Sequence, residues 1–236
     1  KPGDEIKWYD FWKESRLKWH KNLNLGSDNY RFHNHENLAH YANAACDIEF
    51  KFPFGFKELE GIHSRTDFDL KAHMEHSGKK MQYFDPEVNE HYVPYVVETS
   101  IGLDRMFLAV LSSSYVEEKI SEKENRIVLK IPPQISPVKL AVLPLTKKDN
   151  LPEKAREIMR SLQINFSCQY EEKDSIGKRY RRQDAIGTPY CITVDHETLE
   201  NDSVTLRNRD NMNQERIKIS DLKSTISEKL SISSLF

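Results

Sequence analysis

Five residues within a stretch of eight could do chemistry together: Glu98, Ser100, Gly102, Asp104 and Arg105. They lie in VPYVVETSIGLDRMFLAV, Val93 to Val110. This stretch reads as a buried strand ending in Glu98, Thr99 and Ser100, a tight Ile101–Gly102 turn, and an apolar helix that opens with Asp104 and Arg105. Residues two apart on a strand share a face, so Glu98 and Ser100 offer polar groups to one ligand. A glycine between strand and helix lets a second ligand approach the backbone. The helix N-terminus favours negative charge there, and an arginine can grip a phosphate or stack on a purine. The stretch therefore resembles half of a nucleotide site with another ligand beside it. A plain strand–turn–helix with a solvated arginine is the alternative that spacing leaves open.

A second stretch, FKELEGIHSRTDFDL from Phe56 to Leu70, alternates charged and apolar residues. Read as strand, it places Glu58 with Glu60 on one surface and Arg65 with Asp67 and Asp69 on another. Its flanking phenylalanines and leucines argue for a packed sheet, where unpaired charge is costly and charge clusters mark sites. A third stretch carries Lys178, Arg179, Arg181 and Arg182 around Tyr180. Basic residues beside an aromatic suit single-stranded RNA, while a solvated helix face paired with Glu171, Glu172 and Asp174 is the plainer reading. The pairs His33/His35 and His73/His76 lack a third ligand at useful spacing, which disfavours a histidine metal site.

Composition sets outer bounds. Across 236 residues, 35 Lys and Arg nearly balance 37 Asp and Glu, so any nucleic-acid contact must come from a local patch. Cys46, Cys168 and Cys191 are far apart and odd in number, which fits a reducing compartment such as the cytoplasm better than a disulfide framework. No apolar run approaches the roughly 18 residues that read as a membrane span. The chain begins at Lys1 inside an amphipathic pattern, from which we expect further sequence upstream.

The elements that must position these residues follow from periodicity. Asp4 to Leu23 has an aromatic stripe at helical spacing, expected to pack into a core. Leu38 to Asp47 reads as irregular and leads into a strand, Ile48 to Phe52. Lys71 to Asn89 reads as helix or loop, Glu117 to Asn125 as a solvated loop, and Ile127 to Ile131 as a short strand. Pro132, Pro133 and Pro137 mark the expected domain boundary. Beyond it come strands at Val138–Leu145, Ile164–Tyr170 and Tyr190–Val194, with helices at Pro152–Leu162 and Lys178–Asp184 between them. A hairpin joins Val204–Arg209 to Arg216–Ile219, and Asp221 opens a last helix. That order predicts a small α/β domain.

Taken together, FPFGFKELEGIHSRTDFDL, PYVVETSIGLDR and SIGKRYRRQDAIGTPYCITVD resemble glycyl-tRNA synthetase of the homodimeric class II type, over essentially the whole chain. The resemblance implies an α+β fold: the C-terminal part of an antiparallel-sheet catalytic domain (1–131), a linker (132–137), and a small α/β anticodon-binding domain with a mixed sheet (138–236). It implies ATP at Glu58, Leu59, Gly102, Leu103, Asp104 and Arg105, and glycine at Glu98, Thr99, Ser100, Ile101, Gly102 and Arg65. Arg105 and Glu98 would carry the catalytic roles, with Mg²⁺ on the triphosphate and Glu58 as a nearby ligand. The basic cluster at Lys178, Arg179, Arg181 and Arg182 would meet tRNA(Gly). The first two class II motifs are absent, so this chain alone is expected to show no glycine-dependent pyrophosphate exchange. A non-catalytic, synthetase-like nucleic-acid binder is the rival reading.

Overall fold

The computed structural model describes residues 1–122 and 125–235; part of the expected Glu117–Asn125 loop therefore lies outside the described residues. The chain forms two compact units, Lys1–Ser112 and Ser113–Phe236.

The first unit is an antiparallel sheet with a helix on one face. Strands β1 (Tyr30–Asn34), β2 (Ala44–Phe52), β3 (Gly55–Ser64) and β6 (Val97–Ile101) lie in the order β1-β2-β3-β6. Strand alternation sends Cys46, Ile48, Phe50, Phe52 and Ile62 to a buried face, each at most 3% exposed. Helix α1 (Glu5–Asn22) contacts β2, β3 and β6 and buries Tyr9 and His20. Its acidic first turn and basic last turn suit the helix dipole. Apart from Tyr9, most of the aromatic stripe stays out of the expected core. Trp8 and Phe11 are 47% and 52% exposed and contact one another edge to face at 5.6 Å.

Two further departures arise near β3. The pairing of β2 with β3 shifts after Ile48: Ile48 opposes Glu60 and Glu49 opposes Glu58, leaving Leu59 as an extra residue. Such a bulge breaks the two-residue period. Glu58 and Glu60 therefore face opposite sides rather than one. Beyond Ser64, Thr66 adopts a left-handed φ of 53° and ends the extended run. Helix α2 (Phe68–Ser77) follows, so Asp67 precedes a helix and Asp69 lies in its first turn, not on a strand. A small hairpin of β4 (Tyr83–Asp85) and β5 (Glu90–Tyr92) then leads to β6. Helix α3 (Leu103–Ser114) follows β6; Ala109 is fully buried, while Leu103 and Phe107 are 82% and 63% exposed.

In the second unit, β9 (Leu140–Pro144) is buried throughout and pairs in parallel with β10 (Cys168–Tyr170) and β11 (Tyr190–Val194). Antiparallel β12 (Ser203–Asn208) and β13 (Gln214–Lys218) complete the order β10-β9-β11-β12-β13, the expected mixed sheet. Helix α4 (Leu151–Leu162) covers it through Leu151, Ala155, Ile158 and Leu162, and α7 (Leu222–Lys229) adds Leu222 and Ile226. Helix α5 (Ile176–Ile186) ends at Gly187, whose φ of 88° gives the left-handed cap. A short helix, α6 (His196–Asn201), was not anticipated; Asp195 and Thr198 close a capping box at its start.

The boundary also departs from expectation. The compact units divide at Ser112/Ser113, not at the prolines. A hairpin of β7 (Tyr115–Lys119) and β8 (Asn125–Leu129) belongs to the second unit. It is tied there by Arg126, fully buried, whose Nε donates to Asp184 of α5 at 3.0 Å. The proline-rich segment is anchored as well: Ser136 Oγ donates to the Gly187 carbonyl at 2.7 Å, and Arg209 donates to the Ile131 carbonyl at 2.9 Å.

Candidate functional site

The sheet face opposite α1 is polar, and cross-strand register defines its members. Directly opposed residues in antiparallel strands project to the same side. His33 opposes Asp47, Asp47 opposes Gly61, and Gly61 opposes Ser100. The next row runs from Ala45 to His63 to Glu98. Glu98 and Ser100 thus share one open face, as β6 alternation requires. Thr99 and Ile101 project to the other side, so only their backbone is available to a ligand here.

Arg65 sits at the end of this face. Its guanidinium grips Asp69 through two hydrogen bonds, at 2.6 and 2.9 Å, and reaches Glu98 Oε2 at 3.0 Å. It also lies over the Tyr41 ring at 4.1 Å. The Asp69 hydrogen bond is the main reason Arg65 stays protonated well above its ordinary range, and it holds Asp69 below the usual carboxylate range. The result is a fixed cation beside Glu98, suited to a ligand carrying both an ammonium and a carboxylate.

The second cluster is at the β6–α3 turn. Arg105 Nη1 donates to the Glu58 carbonyl at 2.7 Å and lies 3.0 Å from the Glu58 carboxylate. Both side chains are about half exposed, 52% and 51%, and line a cleft with Ser100, Gly102, Leu103 and Asp104. An adjoining cleft adds His33, Asp47, Phe54 and Lys57 to Glu58 and Arg105. Gly102 has no positive φ, and the atoms nearest to a Cβ placed there would be Arg105 carbons, the first at 3.7 Å. The chain's own atoms therefore impose no need for glycine at this turn. Leu59, expected at the nucleotide, is 1% exposed on the bulge; its side chain is core.

The bulge explains a network that the spacing missed. Glu60, 1% exposed, accepts hydrogen bonds from Arg16 at 2.5 and 3.1 Å and lies 2.6 Å from His20 Nε2. Burial pushes the Glu60 carboxyl up, but the His20 and Arg16 hydrogen bonds outweigh this and hold it below its usual range. A glutamate two residues from Glu58, facing an aromatic helix with Arg16 and His20 one turn apart, was the available signal. Without the bulge it could not be separated from Glu58.

Among the described residues, no group of three or more His, Cys, Asp or Glu side chains is arranged to hold an ion. The Glu58 carboxylate is engaged by Arg105, and Glu98 by Arg65. His35 Nε2 lies 2.9 Å from Asp47 instead.

In the second unit the basic cluster separates by role. Arg179 is 2% exposed and donates to the carbonyls of Pro144 (2.6 Å), Glu171 (3.2 Å) and Leu145 (3.2 Å). It is a structural clamp, not an RNA-facing charge. Burial is the main influence on its guanidinium and lowers its pKa. Arg182 is paired with Glu171 and Asp174. Lys178 and Arg181 instead line an open cleft with Tyr180, Arg207 and Gln214. Arg207 is fixed from below by two hydrogen bonds to buried Asp184, at 2.8 and 3.0 Å, and stacks on Tyr180 at 4.6 Å.

Residues 139–229 match the family model described as an anticodon binding domain. Over 98% of its length the chain is 51% identical to the glycine–tRNA ligase of Chlorobaculum tepidum, and 52% identical to that of Alkaliphilus oremlandii. The matched region is 49% and 50% of those proteins, so the chain spans about half the length of the curated relatives it matches. A prolyl-tRNA synthetase from Cryptosporidium parvum, solved with L-proline and AMP, has a TM-score of 0.64 at 14% identity, covering 99% of this chain and 48% of its own. That likeness is one of fold: a class II synthetase sheet followed by a mixed-sheet domain. Over that half of the curated relatives' length the chain is similar to glycine–tRNA ligases, and it includes the stretch that matches an anticodon binding domain.

Proposed function

We propose that this portion supplies the amino-acid wall and one half of the ATP site of a glycine–tRNA ligase, together with its tRNA-reading domain. One observation carries the reading: Arg65–Glu98, Ser100 and Glu58–Arg105 converge on a single open sheet face. Glu98 meets the glycine ammonium, Ser100 hydrogen-bonds beside it, and Arg65 faces the carboxylate. Arg105, with the Gly102–Asp104 turn, holds ATP. A glycine carboxylate oxygen attacks the α-phosphorus and pyrophosphate leaves. The terminal ribose hydroxyl of tRNA(Gly) then attacks the glycyl carbonyl carbon, and AMP leaves. Such transfers rest on positioning and on neutralising phosphate charge.

Mg²⁺ belongs to this proposal as an ion held on the ATP phosphates. Mg²⁺ commonly binds through phosphates plus one or two carboxylates. Among the described residues no cluster of carboxylates forms a cation site by itself, so the ion's place in this reading is on the phosphates. Lys178 and Arg181 are the proposed tRNA contacts, with the complete ligase working as a homodimer in the cytoplasm. The test is amide NMR on the chain. ATP should shift Glu58 and Gly102–Arg105, and glycine should shift Arg65, Glu98 and Ser100. Silence at both sets from a folded chain would refute the reading.

A further inference from the structure

Gly61 is the cross-strand partner of both Asp47 and Ser100, at the centre of the open face. Side chains opposed in this way normally stand about 4.5–5.5 Å apart at Cβ, so a missing side chain leaves a slot between its neighbours. That slot is partly filled. A Cβ built on Gly61 would lie 2.7 Å from His63 Cε1, 3.4 Å from His63 Nδ1 and 3.7 Å from Asp47 Oδ1. The first distance is shorter than real Cβ contacts, so the imidazole edge lies over the Gly61 backbone. Gly61 has no positive φ, which leaves close approach, not backbone conformation, as the reason for glycine. His63 itself opposes Glu98, and its ring stands edge-on to His35 at 6.1 Å. His35 is in turn 2.9 Å from Asp47. His63 Nδ1 is buried and has no hydrogen-bond partner. A buried ring nitrogen without a partner is costly unless a ligand or water satisfies it.

We propose that His63, seated over Gly61 and backed by His35 and Asp47, is a specificity-determining residue of the amino-acid subsite. It closes the slot beside Ser100 to any substrate side chain. This rests on the assignment of glycine to Glu98, Ser100 and Arg65. Glycine offers no side chain to recognise, so discrimination must come from excluding larger substrates. The imidazole is the group that fills the space a substrate side chain would enter. One methyl group in a pocket typically alters selectivity by about tenfold or more.

The experiment uses the uniformly ¹³C,¹⁵N-labelled chain, titrated separately with glycine and alanine. Glycine should move the His63 ring signals together with the Glu98 and Ser100 amides, and alanine should do so about tenfold more weakly. His63→Ala should bring alanine within about twofold of glycine, and His63→Asn, which keeps a planar group over Gly61, should restore part of the preference. If His63→Ala fails to fold, Gly61→Ala gives the second test, since its methyl must displace the ring and should weaken the glycine response. Equal responses to glycine and alanine in the unmodified chain would overturn the role of His63 while leaving the site in place. The same holds if the preference survives in His63→Ala. No response at Glu98 and Ser100 to either amino acid would overturn both the proposal and the assignment beneath it.

Discussion

Arg179 and Lys178 are neighbours with opposite fates. Arg179 satisfies three backbone carbonyls in the interior, whereas Lys178 lines an open cleft. Arg179→Ala should lower the melting temperature of the second unit, since it leaves buried acceptors unpaired at a cost of about 1–3 kcal/mol. Lys178→Ala and Arg181→Ala should leave folding intact, weaken RNA binding, and each reduce the salt slope of binding by about one. Glu60 gives a pH prediction. Its folded pKa lies below the ordinary value of 4.5, so its stabilisation is present above that value and is lost as pH falls through the folded pKa. Glu60→Gln should lower stability at neutral pH by about 3–5 kcal/mol and flatten the acid limb of a melting-versus-pH curve. None of these burial differences was legible in the sequence, where four basic residues in five look alike. Residue type reports charge; only packing reports which charges are buried.

At the scale of elements, periodicity found most strands and helices but missed the events that interrupt it. The Leu59 bulge is one such event: nothing in KELEG marks a register shift, and plain alternation puts Glu58 and Glu60 on one face where the bulge sends them to opposite ones. The start of α2 is another: RTDFDL alternates like a strand, yet Arg65 and Asp69 are also four apart, the spacing of a helical pair. The β6–α3 turn was legible because strand, glycine and helix start each leave a distinct signature. The end of α5 gives a local test. Gly187 has a φ of 88°, and a Cβ there would come within 3.1 Å of the Leu129 carbonyl oxygen. Gly187→Ala should destabilise the second unit by about 1–3 kcal/mol in a denaturant titration.

At the scale of the whole molecule, the prolines were a reasonable boundary on stiffness alone, but buried charge decides where the second unit begins. Arg126, Asp184 and Arg207 form one buried network that binds the β7–β8 hairpin to α5 and β12. A chain starting at Ser113 should therefore be markedly more stable than one starting at Val138, because the shorter chain leaves Asp184 without Arg126. Comparative urea melts of the two would check this. The family resemblance was legible because its motifs are long and contiguous. The division of labour between the sheet's two faces depends on a register that sequence does not print. The account is tested most directly by glycine-dependent pyrophosphate exchange in a ligase that contains this portion, comparing Glu98→Gln and Arg105→Ala with the unmodified enzyme. Each substitution should reduce exchange by about a hundredfold with melting unchanged. Exchange within twofold of the unmodified enzyme in either variant would contradict the assignment of this face as the place where glycine meets ATP.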